Sequence, residues 1–265
     1  MDKTFGQIEN CPLKIAFNHK DFSLHLSDEV VCQANAGKLL GQMKQLFHEF
    51  SSIDEAEKAY TFLEGVARKS DLETFKKSKL RYDLIVVYPG KISGEFRKTS
   101  GHYHCEVPGQ GISYPEIYEV LQGKAVFLLQ KANQDGSISE SFAVKGKPGD
   151  KLVIPPEYGH ATINVGDEPL IFADLVSTEC HNIYGSIGSN HGMCYYVMDN
   201  GGQRFSLEEN TMYQQKTKIV VTTISENPAL GIWRDKPLYT QFVEKPDVYA
   251  YLNRPAEYKD KFIKF

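Results

Sequence analysis

A chain of 265 residues is long enough to bury one large β-rich core or two small ones. With 41% hydrophobic and 24% charged residues, and no apolar run near the 18 residues of a membrane span, it reads as a soluble globular protein without a membrane partner. A net charge of -4 with no basic cluster argues against a nucleic-acid partner, because backbone binding requires a localised positive surface.

In chain order, the opening MDKTFGQIENCPLK lacks a basic patch followed by an apolar stretch and a small-residue cleavage site, so a cytoplasmic location is expected. Cys11, Cys32, Cys105, Cys180 and Cys194 are odd in number and scattered, which suits reduced thiols. From Ser27 to Phe47 apolar residues recur at mixed helical spacing. A second stretch starts at Ser52, where Ser52 and Glu55 have capping-box spacing and Ala56, Ala59, Tyr60, Leu63 and Val66 share one helical face. Residues 1–80 are therefore expected to form a mainly helical addition, with short strands near Ile15 and Phe22, that covers a sheet or builds a subunit interface.

From Asp83 the texture changes to short β-branched and aromatic runs punctuated by Gly and Pro: DLIVVYPG, YEVLQGKAVFLLQK, DKLVIPP, ATINVG and EPLIFADLVS. Such spacing predicts an all-β domain over residues 81–199, a sandwich or barrel. Residues 200–265 form a C-terminal extension with one strand-like run, KIVVTTIS at 218–225, and no motif that declares a role.

The chemistry-bearing residues lie in the β-domain. In GHYH, His102 and His104 are two apart, so on a strand both imidazoles face the same way and can share one ion. A carboxylate follows at Glu116, then Gly123, and the separate run GDKLVIPPEYGHATIN supplies His160. Three imidazoles and one carboxylate make a mixed nitrogen and oxygen donor set that suits Fe(II), Mn(II), Ni(II) or Zn(II) and leaves positions open for substrate. Glu119, three residues after Glu116, falls on the opposite strand face and reads as a solvated residue.

These two segments resemble the paired signature motifs of the cupin superfamily, the second matched by Gly149, Pro155, His160 and Asn164. The chain departs from the pattern at Glu157, where the superfamily usually has Gly, and in a spacer between His104 and Glu116 that is longer than usual. The resemblance implies a double-stranded β-helix, a jelly-roll barrel, with the helical N-terminal addition and C-terminal extension attached. Within the superfamily, residues 81–190 look like the cupin-type glucose-6-phosphate isomerases of archaea and some bacteria. The distinctive features are Lys98-Thr99 ahead of GHYH, the pair Glu116 and Tyr118, and NxGDEP from Asn164 to Pro169.

That resemblance implies a metal-dependent interconversion of glucose 6-phosphate and fructose 6-phosphate, in glycolysis and gluconeogenesis, by a homodimer. It implies His102, His104, Glu116 and His160 as ligands of one divalent ion, with Fe(II) the first choice. Glu116 is also the implied base, with Tyr118 as polar helper. Thr99, Gly101, His181 and Tyr184 match residues that line the sugar-phosphate pocket. Ile85 stands where the family commonly has a threonine that touches phosphate, so either another residue substitutes or the substrate differs. Alternatives that keep the same donor set are a metal-dependent dioxygenase, an isomerase of another sugar, and a non-catalytic sugar-binding regulator.

Overall fold

The computed structural model describes residues 4–8, 10–202 and 204–262. Its centre is a pair of facing sheets. The first has six strands, in the order Lys151–Ile154, Glu116–Gln122, Leu170–Ser177, Leu80–Val87, Lys58–Glu64 and Ala34–Leu39, every neighbouring pair antiparallel. The second runs Tyr158–Asn164, Ala125–Ala132, Ile138–Gly146 and Val220–Thr223, with only the last pair parallel. This two-sheet arrangement agrees with the cupin fold expected from the sequence, although among the described residues the two sheets are not hydrogen-bonded to one another into a closed barrel.

Strand alternation explains how both faces of the first sheet are used. In EIYEVLQ, Tyr118 and Val120 point between the sheets, where they pack with Phe127, Leu129, Leu152 and Phe172. Ile117 and Leu121 point outward into a second core with Leu84, Val86 and Leu175. Burial on both faces is why DLIVV and LIFADLVS read as continuous apolar runs rather than alternating ones.

The outer face of that sheet is covered by the C-terminal extension. Helix Leu238–Glu244 and the 3-10 turn Pro246–Leu252 place Tyr239, Phe242, Tyr249, Tyr251 and Leu252 against it, all essentially inaccessible. KIVVTTIS forms the Val220–Thr223 strand at the edge of the second sheet.

The expectation of a mainly helical residues 1–80 is not met. Among the described residues this segment contains the strands Phe5–Gln7, Ile15–Asn18, Leu24–Leu26, Ala34–Leu39 and Lys58–Glu64, and its helices are short: 3-10 segments at Leu40–Leu46 and Lys69–Asp71 and an α-helix at Leu72–Ser78. The physical reason lies in the Lys58–Glu64 strand. Ala59, Tyr60 and Leu63 are buried at spacings that imitate a helical face, because this strand packs apolar residues on both sides. Pairing with Leu80–Val87 decides the matter, and the continuous sheet begins at Ala34 rather than near residue 81.

Glu119 also departs from expectation. It lies on the opposite face from Glu116, as alternation requires, but that face is covered, leaving Glu119 1% exposed and paired with buried Lys151 at 3.0 Å. All five cysteines are free thiols. Among the described residues no helix is long and apolar enough to cross a membrane. Met1–Lys3 and Glu9, part of the segment read for a signal, lie outside the described residues.

Candidate metal centre and its pocket

Four side chains from three strands converge at one end of the space between the sheets. His102 precedes the short strand Tyr103–His104 and His104 ends it, Glu116 opens the Glu116–Gln122 strand, and His160 lies within Tyr158–Asn164. The Nε or Nδ atoms and carboxylate oxygen they offer all lie within 4.8 Å of one another.

The imidazoles are held with their Nε2 lone pairs inward. A carbonyl only accepts, so the ring nitrogen facing one must carry the proton. Nδ1–H of His104 donates to Tyr114 at 2.9 Å, that of His160 to Tyr158 at 3.2 Å, and that of His102 to Ser100 at 3.3 Å. This is the outer-layer arrangement that orients histidines for a metal. The long spacer after His104 serves it directly. It leaves the sheet and returns through the Glu106–Ser113 bridge, delivering the Tyr114 carbonyl to His104.

Burial lowers His102 well below the ordinary histidine range and brings His104 down to about 4, so both rings are neutral at pH 7. Burial opposes the charge of Glu116, but its contacts with His160 and His104 outweigh burial and hold its carboxyl below the usual range. Oε2 of Glu116 approaches Nε2 of His160 at 3.2 Å and Nε2 of His104 at 3.4 Å. Both Oε2 of Glu116 and Nε2 of His160 are buried without a hydrogen-bond partner. Electron pairs facing one another in a dry site, with no proton between them, are costly unless a cation is shared. These residues therefore fit a divalent metal, and the mixed nitrogen and oxygen set matches the borderline ions.

Two motif departures find their explanation here. Glu157 adopts φ +71°, the left-handed conformation for which the superfamily usually supplies Gly. Its carboxylate accepts the Ser113 N–H at 2.6 Å, while its own N–H donates to the Ser113 hydroxyl at 2.6 Å. Ile85 lines the pocket beside the metal site and packs in the inter-sheet core.

A cavity of about 140 Å³ opens next to the four ligands, walled by Thr99, Ser100, His102, Glu116, Tyr118 and Tyr184 among others. Tyr118 interacts through its hydroxyl with Glu116, and burial raises that phenol far above its ordinary value, so it stays protonated. Thr99 faces the cavity while its Oγ1 accepts the Thr162 N–H. Gly101 lies in an adjoining groove of about 420 Å³. There a Cβ would come within 2.8 Å of Met193 Sδ, so a larger residue would push the Met193 side chain aside.

His181 is exposed and is not among the residues lining either cavity. Asn182–Ile183 pairs with Tyr103–His104, and alternation from that register sends Asn182 and Tyr184 to the pocket. Lys98 also turns away. It is buried in an ion pair with Glu95 and donates to the Leu46 carbonyl at 2.6 Å, so it does not serve the phosphate side.

Sequence reasoning missed the other charged residues of the pocket wall. Asp174 sits directly across from Tyr118 and from Asp83, and burial, with Asp83 and Glu116 nearby, pushes its carboxyl well up. Asp83 is raised to about 6, chiefly by burial, against the opposing pull of Arg81. A lone acid inside LIFADLVS or DLIVV was the available signal, since an acid in a strand buried on both faces needs a reason.

A profile of the family described as "Glucose-6-phosphate isomerase (GPI)" matches residues 35–214, about two-thirds of the chain. The chain belongs to the glucose-6-phosphate isomerase family. The glucose-6-phosphate isomerase of Thermococcus litoralis is 35% identical over 126 residues, covering 48% of this chain and 61% of the relative. The putative glucose-6-phosphate isomerase 2 of Rhizobium meliloti is 27% identical over 184 residues, covering 64% and 86%. This glucose-6-phosphate isomerase family member thus spans about three-fifths of the length of the first of these relatives. Among solved structures, oxalate decarboxylase from Bacillus subtilis overlaps 48% of this chain and 28% of its own at 20% identity, with a TM-score of 0.33.

Proposed function

We propose that this site interconverts glucose 6-phosphate and fructose 6-phosphate with the help of one divalent metal ion. The observation that carries the reading is the convergence of three inward Nε2 atoms and the Glu116 carboxylate at the floor of a pocket whose other wall offers hydroxyls, in a chain of this family.

His102, His104, Glu116 and His160 would hold the ion, Fe(II) before Mn(II), Ni(II) or Zn(II). When bound, it supplies Lewis-acid stabilisation of negative charge developing on the substrate oxygens at C1 and C2. The rest falls to the chain. Glu116 lines the pocket floor as an ionised carboxylate, so it has an oxygen with which to take a proton from one carbon and return it to the neighbour. Tyr118 keeps its proton and sets its hydroxyl beside Glu116, where it can steady that carboxylate. Thr99, the backbone near Gly101 and Tyr184 line the cavity and its adjoining groove on the His102 side, where the phosphate is placed. A cytoplasmic homodimer serving sugar-phosphate metabolism completes the reading.

The test is an anaerobic assay of Fe(II)- or Mn(II)-loaded protein with fructose 6-phosphate, following glucose 6-phosphate with and without chelator. Chelator-sensitive turnover without oxygen supports the isomerase. Turnover that requires oxygen would reassign the site to a dioxygenase, and metal binding without turnover would shift the reading to another sugar or to a binding role.

A further inference from the structure

We propose that Lys38, at the neck between the two cavities, is the cation that recognises the anionic end of the substrate and so makes the site selective for phosphorylated sugars. This rests on the isomerase reading above for the substrate's identity, but not for the presence of an anion subsite.

Lys38 lies on the edge strand Ala34–Leu39, opposite Tyr60, and reaches over the sheet to the site. Its Nζ donates to the Ser100 hydroxyl at 3.1 Å and sits 4.3 Å from the centre of the Tyr184 ring. Lys38, Ser100 and Tyr184 are shared by the 140 Å³ cavity and the 420 Å³ groove, so a ligand extending from one to the other must pass them.

The charge of Lys38 has no counter-ion. Among the described residues no carboxylate lies within 4.0 Å of its ammonium, whereas the other strong cation of the cavity, Arg81, is paired with Asp83 at 2.7 Å. A half-buried ammonium whose neighbours are one hydroxyl and one aromatic face retains donors for an incoming oxyanion. Burial lowers Lys38 below the ordinary lysine value, a cost that a bound phosphate removes. The carboxylates Glu64, Asp83, Asp174 and Glu116 line the same cavity. Asp83 is paired with Arg81 and Glu116 belongs to the ligand set, so among the described residues that side offers a phosphate no free cation and the phosphate is drawn to the Lys38, Thr99 and Ser100 side, which favours one orientation of the sugar. Ile85 contributes only apolar surface to this wall, so the ammonium is the dominant attraction available.

The test compares metal-loaded wild type with Lys38→Met and Lys38→Arg. Two readouts are used: the KM and kcat for fructose 6-phosphate, and the affinity for inorganic phosphate by calorimetry. Lys38→Met is expected to raise KM and weaken phosphate binding by about ten- to a hundred-fold, the range for losing a hydrogen bond to a charged group. The change should be concentrated in KM, with metal content retained, and Lys38→Arg should recover most of both. If Lys38→Met binds phosphate like wild type, the anion sits elsewhere, for example among Lys145, Lys147 and Arg204 around a separate cavity, and the proposal falls. Lys38-dependent phosphate binding in a protein that does not isomerise fructose 6-phosphate would keep the anion subsite and overturn only the isomerase reading. Isomerase activity with KM and phosphate affinity both indifferent to Lys38→Met would do the reverse.

Discussion

His102 and His160 exchange both of their backbone hydrogen bonds, at 3.1 and 2.9 Å, and their rings stand 4.4 Å apart across that bridge. A directly opposed antiparallel pair fixes two side chains on the same face. The GHYH segment is thereby bolted to the second sheet at the residue that also carries a candidate ligand, so removal of either ring leaves the other's position defined by backbone.

This makes single-ligand variants interpretable. His160→Ala or Glu116→Ala should fold, lose most bound metal and lose most turnover. With metal binding at a four-ligand protein site worth on the order of 12 kcal/mol, one ligand contributes roughly 3 kcal/mol, about a hundredfold in affinity. Elemental analysis after desalting checks this, and full stoichiometry in either variant would remove the ligand assignment.

Asp83 should impose a pH dependence on stability. Its carboxyl is raised from 3.8 to about 6, so below pH 4 it is protonated in both states and costs nothing. Between about 4 and 6 the unfolded chain releases this proton while the folded chain holds it, and stability from this group is lost as pH rises. Asp83→Asn, which cannot ionise and keeps an oxygen for the Gly65 N–H, should therefore gain on wild type across that window by at most about 3 kcal/mol. Urea unfolding at several pH values reads the difference. A constant offset from pH 4 to 7 would contradict the raised carboxyl.

Glu157 tests whether a side-chain tie outweighs backbone strain. Replacing it by the superfamily's usual Gly relieves about 1 kcal/mol of left-handed strain. It also removes a charged acceptor from the Ser113 N–H, worth about 1.5 to 3 kcal/mol, and adds the entropy of a new glycine. The expected result for Glu157→Gly is a net loss of about 1 to 3 kcal/mol in chemical denaturation. A more stable variant would show that the Ser113 contact contributes little.

Glu119 and Lys151 are each about 1% exposed at their side chains, and Glu119 also accepts the Leu238 N–H at 2.8 Å where the C-terminal helix begins. Glu119→Ala strands a buried ammonium, which typically costs about 3 to 5 kcal/mol. We expect a large drop in stability together with faster proteolysis near residues 233–245 than in wild type. The double replacement of Glu119 and Lys151 by Leu and Met should recover most of the loss, because apolar pairs of similar volume avoid the desolvation penalty. Failure of that recovery would locate the energy in the Leu238 contact instead.

The sequence by itself determined the donor set and the central strands. HxH, a spaced Glu and a second His specify residue types that depend on local alternation, and alternation is a property of neighbours two apart. The turn residues were legible for the same reason: Gly123, at φ +88°, leaves no room for a Cβ beside the Pro169 carbonyl. Tertiary structure decided whatever depended on a distant partner. The Lys58–Glu64 segment became a strand because Leu80–Val87 was available to pair with it. Glu119 became buried because residues 238–252 cover its face, and Lys98 was drawn to Glu95 and Leu46 instead of the pocket. Lys38, 62 residues before Ser100, reached the site only through the sheet edge. Charge and burial at such positions are set by packing between segments far apart in the chain, which periodicity along one segment does not encode.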